Sequence, residues 1–171
     1  MRPNVKKIGF VYCPGEVNSV TLMRRTQEAS KELGLELITA VIANTADVKQ
    51  ATSSIISKVD AIYVTNDNTV VSALPSLTNI AIKHKVPVIS ADPSSAKKGN
   101  VTVAYGVDNY KIGLATGKMV AEVLRGKKTS AMPIKVMDQP DEMEGYINEK
   151  QLTDYKLKVP NYVREVLKVA K

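Results

Sequence analysis

Apolar runs alternate with amphipathic stretches along this chain. Lys7 to Tyr12, Leu35 to Ile42, Asp60 to Val64, Val86 to Ser90 and Val101 to Tyr105 each read as a strand. Ile8-Gly9-Phe10-Val11 and Ala61-Ile62-Tyr63-Val64 are apolar throughout, as strands covered on both faces should be. Between the strands the period lengthens. Leu22, Thr26, Ala29 and Leu33 recur at helical spacing, with Asn18 or Ser19 placed to cap and Gly34 to close the helix. Val48, Ala51, Ile55 and Val59 form a second stripe from about Asp47. A third holds Leu74, Leu77 and Ala81, with Val71; Pro75 makes it begin near Ser72, or begin at Asn68 and kink. Asn109 to Leu124 predicts a long helix closed by Gly126. Ile134 to Met137 reads as a late strand, and Asn148 to Asp154 and Asn161 to Ala170 as helices.

This β-α-β-α order predicts an α/β fold: a parallel sheet with helices on both faces. In such sheets ligands bind beyond the carboxyl ends of the strands. Three strands here end abruptly in polar clusters: Pro14-Gly15-Glu16-Val17-Asn18-Ser19, Thr65-Asn66-Asp67-Asn68-Thr69 and Ala91-Asp92. Asn18 and Ser19, at a helix start, suit an anion such as a carboxylate. Asp67, Asp92 and Asp108 follow strands and suit an ammonium group. Together they describe a site for a small zwitterion. Asn18, Asp67 and Asp92 are each equally ordinary turn formers or helix caps, and Asp108, at the start of a helix, reads first as its cap. Tyr12, Tyr63 and Tyr105, near strand ends, can stack on a ligand or sit half-buried in the sheet.

Bulk properties narrow the classes. The 171 residues suffice for one α/β domain, and 44% hydrophobic with 24% charged residues is ordinary for a globular chain. The net charge is +7, but Lys97-Lys98, Lys127-Lys128 and the bases after Lys150 are scattered among acids. Nucleic-acid binding needs a focused basic face, so no nucleic-acid partner is expected. Cys13 is the single cysteine, which excludes an intrachain disulfide. No apolar run reaches membrane-spanning length. Met1 to Lys7 leads straight into a strand without a signal peptide, and taken alone this places the chain in the cytoplasm.

Catalytic readings find little support. Cys13 ends a strand before a helix, but a phosphate-gripping loop would need an arginine where Ser19 stands. His84 is the only histidine and has no evident acid or nucleophile partner. Gly106, Gly113 and Gly117 are too dispersed for a phosphate loop, and no Cys, His and carboxylate cluster has metal-ligand spacing. No enzyme activity, cofactor or metal is expected.

Beyond these patterns, the chain resembles the solute-binding components of bacterial ABC transporters, in the family of predicted amino-acid and tryptophan importers. The resemblance is carried by Lys7-Ile8-Gly9-Phe10-Val11-Tyr12 with Pro14-Gly15-Glu16 and Asn18-Ser19. It continues through Asp60-Ala61-Ile62-Tyr63-Val64, Asp67-Asn68-Thr69-Val70-Val71-Ser72-Ala73, Tyr105-Gly106-Val107-Asp108, Ile147-Asn148 and Leu157-Lys158-Val159-Pro160. Cys13 replaces the asparagine usual before Pro-Gly, and Thr65-Asn66 replaces the usual Pro-Thr.

The resemblance implies two α/β lobes joined by a three-strand hinge and closing on a small solute, an amino acid, for an ABC permease. It implies a periplasmic or lipid-anchored extracytoplasmic protein. Only the second part of such a protein is matched. Residues 1–106 would be the second-lobe domain. Residues 107–126 would form a crossing helix that packs on the missing first lobe or a second copy of the chain, with Ile112, Ala115, Met119 and Val123 as its apolar face. Residues 127–171 would be the hinge return with a terminal strand and helices. Ligand contacts would fall on Asn18, Ser19, Asp67, Asn68 and Asp92, with Asp108 beside the crossing. The alternatives are a stand-alone sensor or dimerisation domain of the same fold, and a cytosolic α/β enzyme using Cys13.

Overall fold

A computed structural model describes residues 5–98 and 100–169. Its frame is a seven-stranded sheet in the order β2-β1-β3-β4-β5-β6-β7. The strands are β1 (Lys7–Tyr12), β2 (Glu36–Val41), β3 (Ala61–Val64), β4 (Val88–Ser90), β5 (Val103–Val107), β6 (Met143–Ile147) and β7 (Lys168–Val169). The first five pair in parallel, β6 runs antiparallel to β5, and β7 runs parallel to β6. The helices are α1 (Val17–Glu32), α2 (Asp47–Ile55), α3 (Asn68–Ser72), α4 (Leu74–Lys83), α5 (Ser95–Lys98), α6 (Asn109–Leu124), α7 (Glu149–Asp154) and α8 (Asn161–Arg164). The expected α/β sheet is present, mostly parallel.

Strand alternation divides the core. Val11, Ile62, Val64 and Val88 pack with Val48 and Ile55 of α2 and Leu74, Leu77 and Ala81 of α4 into one buried cluster. Gly9 permits this approach: a Cβ there would meet Ile55, Ile62 and Val59 at 3.2–3.3 Å. On the opposite face Tyr63 and Thr65 share a groove with Leu22 and Thr26 of α1. A smaller cluster of Ile147, Leu152 and Val159, joined by Val103, Leu157 and Leu167, holds α7 beneath β5 and β6. Burying about ten large aliphatic side chains, at roughly 2 kcal/mol each, sets the scale of the favourable term in the main cluster.

Several expectations change. The third helical stripe divides into α3 and α4 at Ala73, with Pro75 in the first turn of α4. Proline fits there because the first-turn N–H has no intrahelical partner. Ile134 to Met137 is not a strand; it runs without regular structure, with Ile134 92% exposed. With no described strand beside it to pair with, an exposed extended segment bonds its backbone to water instead. The late strand is instead β6, which starts inside the polar run Asp141-Glu142-Met143-Glu144. The helix expected from Asn161 stops at Arg164 and β7 follows; Ala170 lies outside the described residues.

Helix α6 contains no buried residue. Ile112, Ala115, Met119 and Val123 line a groove with Met132, Ile134 and Met137, so the segment after α6 folds back along its apolar face. Val120 and Leu124 line the same groove and, like Ile112 and Val123, remain exposed.

Candidate functional site

Strands β1, β3, β4 and β5 deliver their carboxyl ends to one edge. Between β1 and β3 the chain order reverses, because β2 lies outside β1. Such a switch point is where an open α/β sheet usually admits a ligand. Here the protein fills it with its own side chains.

Two loops exchange carboxylates across that switch point. Glu16, just before α1, reaches the start of α3. Its Oε1 accepts from the Thr69 N–H (2.9 Å) and hydroxyl (2.7 Å); its Oε2 accepts from the Asn68 N–H (3.0 Å) and side-chain amide (2.9 Å). These bonds, the Thr69 hydroxyl first, lower the Glu16 pKa to about 2. Hydrogen bonds made only to the charged form favour that form. In return Asp67, 1% exposed, points beneath α1. Its Oδ2 accepts from the Cys13 N–H (2.7 Å) and the Ser19 hydroxyl (2.5 Å), and its Oδ1 accepts from Val70 N–H (2.9 Å) to cap α3. Asn18 adds a bond from its side-chain amide to the Asn66 carbonyl at 2.7 Å.

The structure therefore separates the expected site residues. Asn18, Ser19 and Asp67 lie together at the switch point and bond to the protein itself. Asn18 and Ser19 stand inside the first turn of α1, and the residue at its cap position is Glu16. Asp108 caps α6 by accepting from the Tyr110 N–H (2.9 Å) and Lys111 N–H (3.3 Å). Asn68 and Asp92 are brought to a shared open hollow.

That hollow, of about 630 Å³, lies one step along the rim over β3, β4 and β5, against the start of α6. Asn66, Asn68, Asp92, Ser94, Tyr63 and Tyr105 contribute to its lining, with Ile112 and Met143 on the α6 side. Asp92 is held by an Asx-type turn: Oδ1 accepts from the Ser94 N–H (3.0 Å) and Oδ2 from the Ser94 hydroxyl (2.6 Å). The second lone pairs of its oxygens remain for another donor. Burial pushes the Tyr63 phenol above its ordinary pKa. The hollow thus joins one carboxylate, several amide and hydroxyl groups and two aromatic rings.

Cys13 is buried, with its thiol toward the Ala43 carbonyl at 3.9 Å, and His84 is exposed at the end of α4. Among the described residues no group of three or more His, Cys, Asp and Glu side chains is placed to hold a metal. No helix among them is long and apolar enough to cross a membrane.

The sequence profile of the ABC transporter substrate binding protein family matches residues 1–171. The chain belongs to that family. It is 34% identical over 152 residues to a tyrosine-binding protein of Clostridioides difficile, covering 89% of this chain and 43% of that protein. Its fold superposes with a TM-score of 0.87 and 34% identity on a conserved domain protein from Vibrio cholerae, over 99% of this chain and 56% of that one. A second structure, from Streptococcus pneumoniae in complex with L-Trp, gives a TM-score of 0.86 at 28% identity, again over 99% and 56%. The chain thus spans about half the length of the relatives it matches.

Sequence reasoning missed Glu16 as a structural partner, and Asn66 and Ser94 as parts of the hollow. Glu16 carries no local signal, since its partners lie 52 and 53 positions away.

Proposed function

We propose that this chain is one lobe of a two-lobed solute-binding protein serving an ABC permease outside the cytoplasm, and that its solute is an amino acid, aromatic in the first instance. The observation that carries the reading is the hollow beside α6, where the Asp92 carboxylate, the Asn68 amide and two tyrosine rings meet at the strand ends. A carboxylate in a partly dry hollow forms charge-assisted bonds to an ammonium group, and the rings give an aromatic side chain a stacking surface. The tyrosine and L-Trp in the names of two relatives support the solute class. In this reading Asn68 and Asp92 touch the solute. Asn18, Ser19 and Asp67 hold the loops that present them, and Asp108 anchors the crossing helix. The protein binds and releases its solute unchanged.

The second wall of the cleft would come from a first lobe resting on the apolar face of α6. One wall alone encloses too little of a ligand for tight binding, because effective pockets bury most of the ligand surface, roughly 70–90%. Millimolar affinity is expected for the chain by itself. Saturation-transfer NMR against a panel of amino acids and sugars tests the class. Signals from aromatic amino acids alone support it, whereas signals from sugars alone would contradict it.

A further inference from the structure

The open hollow contains Asp92 as its one ionisable group of fixed charge, and no Lys, Arg or His is among its described lining residues. The helix starts along the same rim tell the same story. Backbone N–H groups at a helix start attract anions, and the two starts that border the hollow, those of α3 and α6, are already met by a carboxylate of the protein. Glu16 holds the first N–H groups of α3, and Asp108 holds those of α6. An incoming carboxylate would find negative charge at both helix starts that border the hollow and no cationic side chain among its described lining residues.

We infer that this lobe recognises only the ammonium and side-chain ends of its solute and leaves the solute's carboxylate to the opposite wall of the cleft. The inference rests on the proposed solute-binding reading and adds a direction to it. The ammonium group is held by Asp92 and the amide oxygens of Asn66 and Asn68, and the side chain lies against Tyr63 and Tyr105. The ligand class of this half is therefore an aromatic primary amine, with or without a carboxylate. An acid of the same shape without the amine is disfavoured by repulsion from Asp92.

Three probes test this on the chain as it stands, by amide chemical-shift titration: L-tryptophan, tryptamine, which lacks the carboxylate, and indole-3-propionate, which lacks the amine. Tryptamine is expected to bind within about threefold of L-tryptophan, and indole-3-propionate at least about tenfold more weakly, the worth of one charge-assisted bond. Asp92→Asn keeps the turn to Ser94 and should remove that preference for the amine. Equal or tighter binding of indole-3-propionate overturns the inference while leaving solute binding intact. Unchanged amine preference in Asp92→Asn also overturns it. Failure of all three probes to bind removes the inference together with the reading beneath it.

Discussion

Glu16 and Thr69, 53 positions apart in the chain, share two hydrogen bonds on one carboxylate oxygen. Through them the loop after β1 closes the first turn of the helix after β3, and Asp67 returns the favour by holding Cys13 and Ser19. The switch point of the sheet is thereby sealed, and the open hollow lies on the β3–β5 side.

This contact gives the rim a pH signature. The folded Glu16 pKa of about 2 lies below its ordinary 4.5. A depressed carboxylate pKa adds stability that is fully present above 4.5 and is lost as the pH falls toward 2. Thermal denaturation should show the melting temperature dropping through that window. Glu16→Gln should flatten this part of the profile and cost about 1–2 kcal/mol at neutral pH, since an amide offers a single acceptor oxygen.

Asp67 should behave as a structural residue. Asp67→Ala leaves the Cys13 N–H, the Val70 N–H and the Ser19 hydroxyl without their partner in a buried place. Unsatisfied buried groups cost on the order of 1–3 kcal/mol each, so the variant should lose roughly 3 kcal/mol or more in urea unfolding. Asp67→Asn, which keeps one acceptor oxygen, should lose less.

Much of this architecture is legible in the residues, and the exceptions share a cause. Apolar runs reveal β1, β3 and β4 because burial on both faces leaves no freedom of choice. Helical stripes reveal α2 and α4 for the same reason, and Asp108 and Asn148 cap the helices that follow them, as local chemistry dictates. Strand β6 is hidden because Met143 and Glu144 pair with β5 through backbone groups that carry no side-chain signal. Ile134 to Met137 misleads in the opposite sense: its apolar character is real, but among the described residues no strand pairs with it. Within the candidate site, Asp92 and Asn68 are legible from their position after strands. The diversion of Ser19 and Asp67 into a private bond is not, because it depends on how two distant loops meet.

Gly106 marks another constraint on the hollow. A Cβ there would be built into the Ala91 carbonyl, a backbone group that cannot turn aside, whereas a Cβ on Gly145 would press chiefly on the end of the Leu167 side chain and the Tyr105 ring, with the Ala104 carbonyl at 3.2 Å. Gly106→Ala should therefore destabilise the protein by about 3 kcal/mol or more and distort the Asp92 loop, and Gly145→Ala should cost less, as overpacking against movable side chains does. Paired urea titrations of the two variants would check the order.

The apolar flank of α6 should be adhesive in the isolated chain. Val120 and Leu124 are exposed along the groove they line with Ile134. Large exposed apolar patches mark interaction sites. Sedimentation should show concentration-dependent self-association, and Val120→Lys with Leu124→Lys should abolish it without lowering the melting temperature. A monomer at every concentration would argue against this face as a docking surface.

The most direct measurement is a residue-resolved NMR titration of the chain with L-tryptophan. The account predicts amide shifts concentrated at 66–68, 91–94 and 105–109, with Cys13 and Ser19 unmoved. Shifts centred on Cys13 and Ser19, or none at saturating ligand, would contradict it.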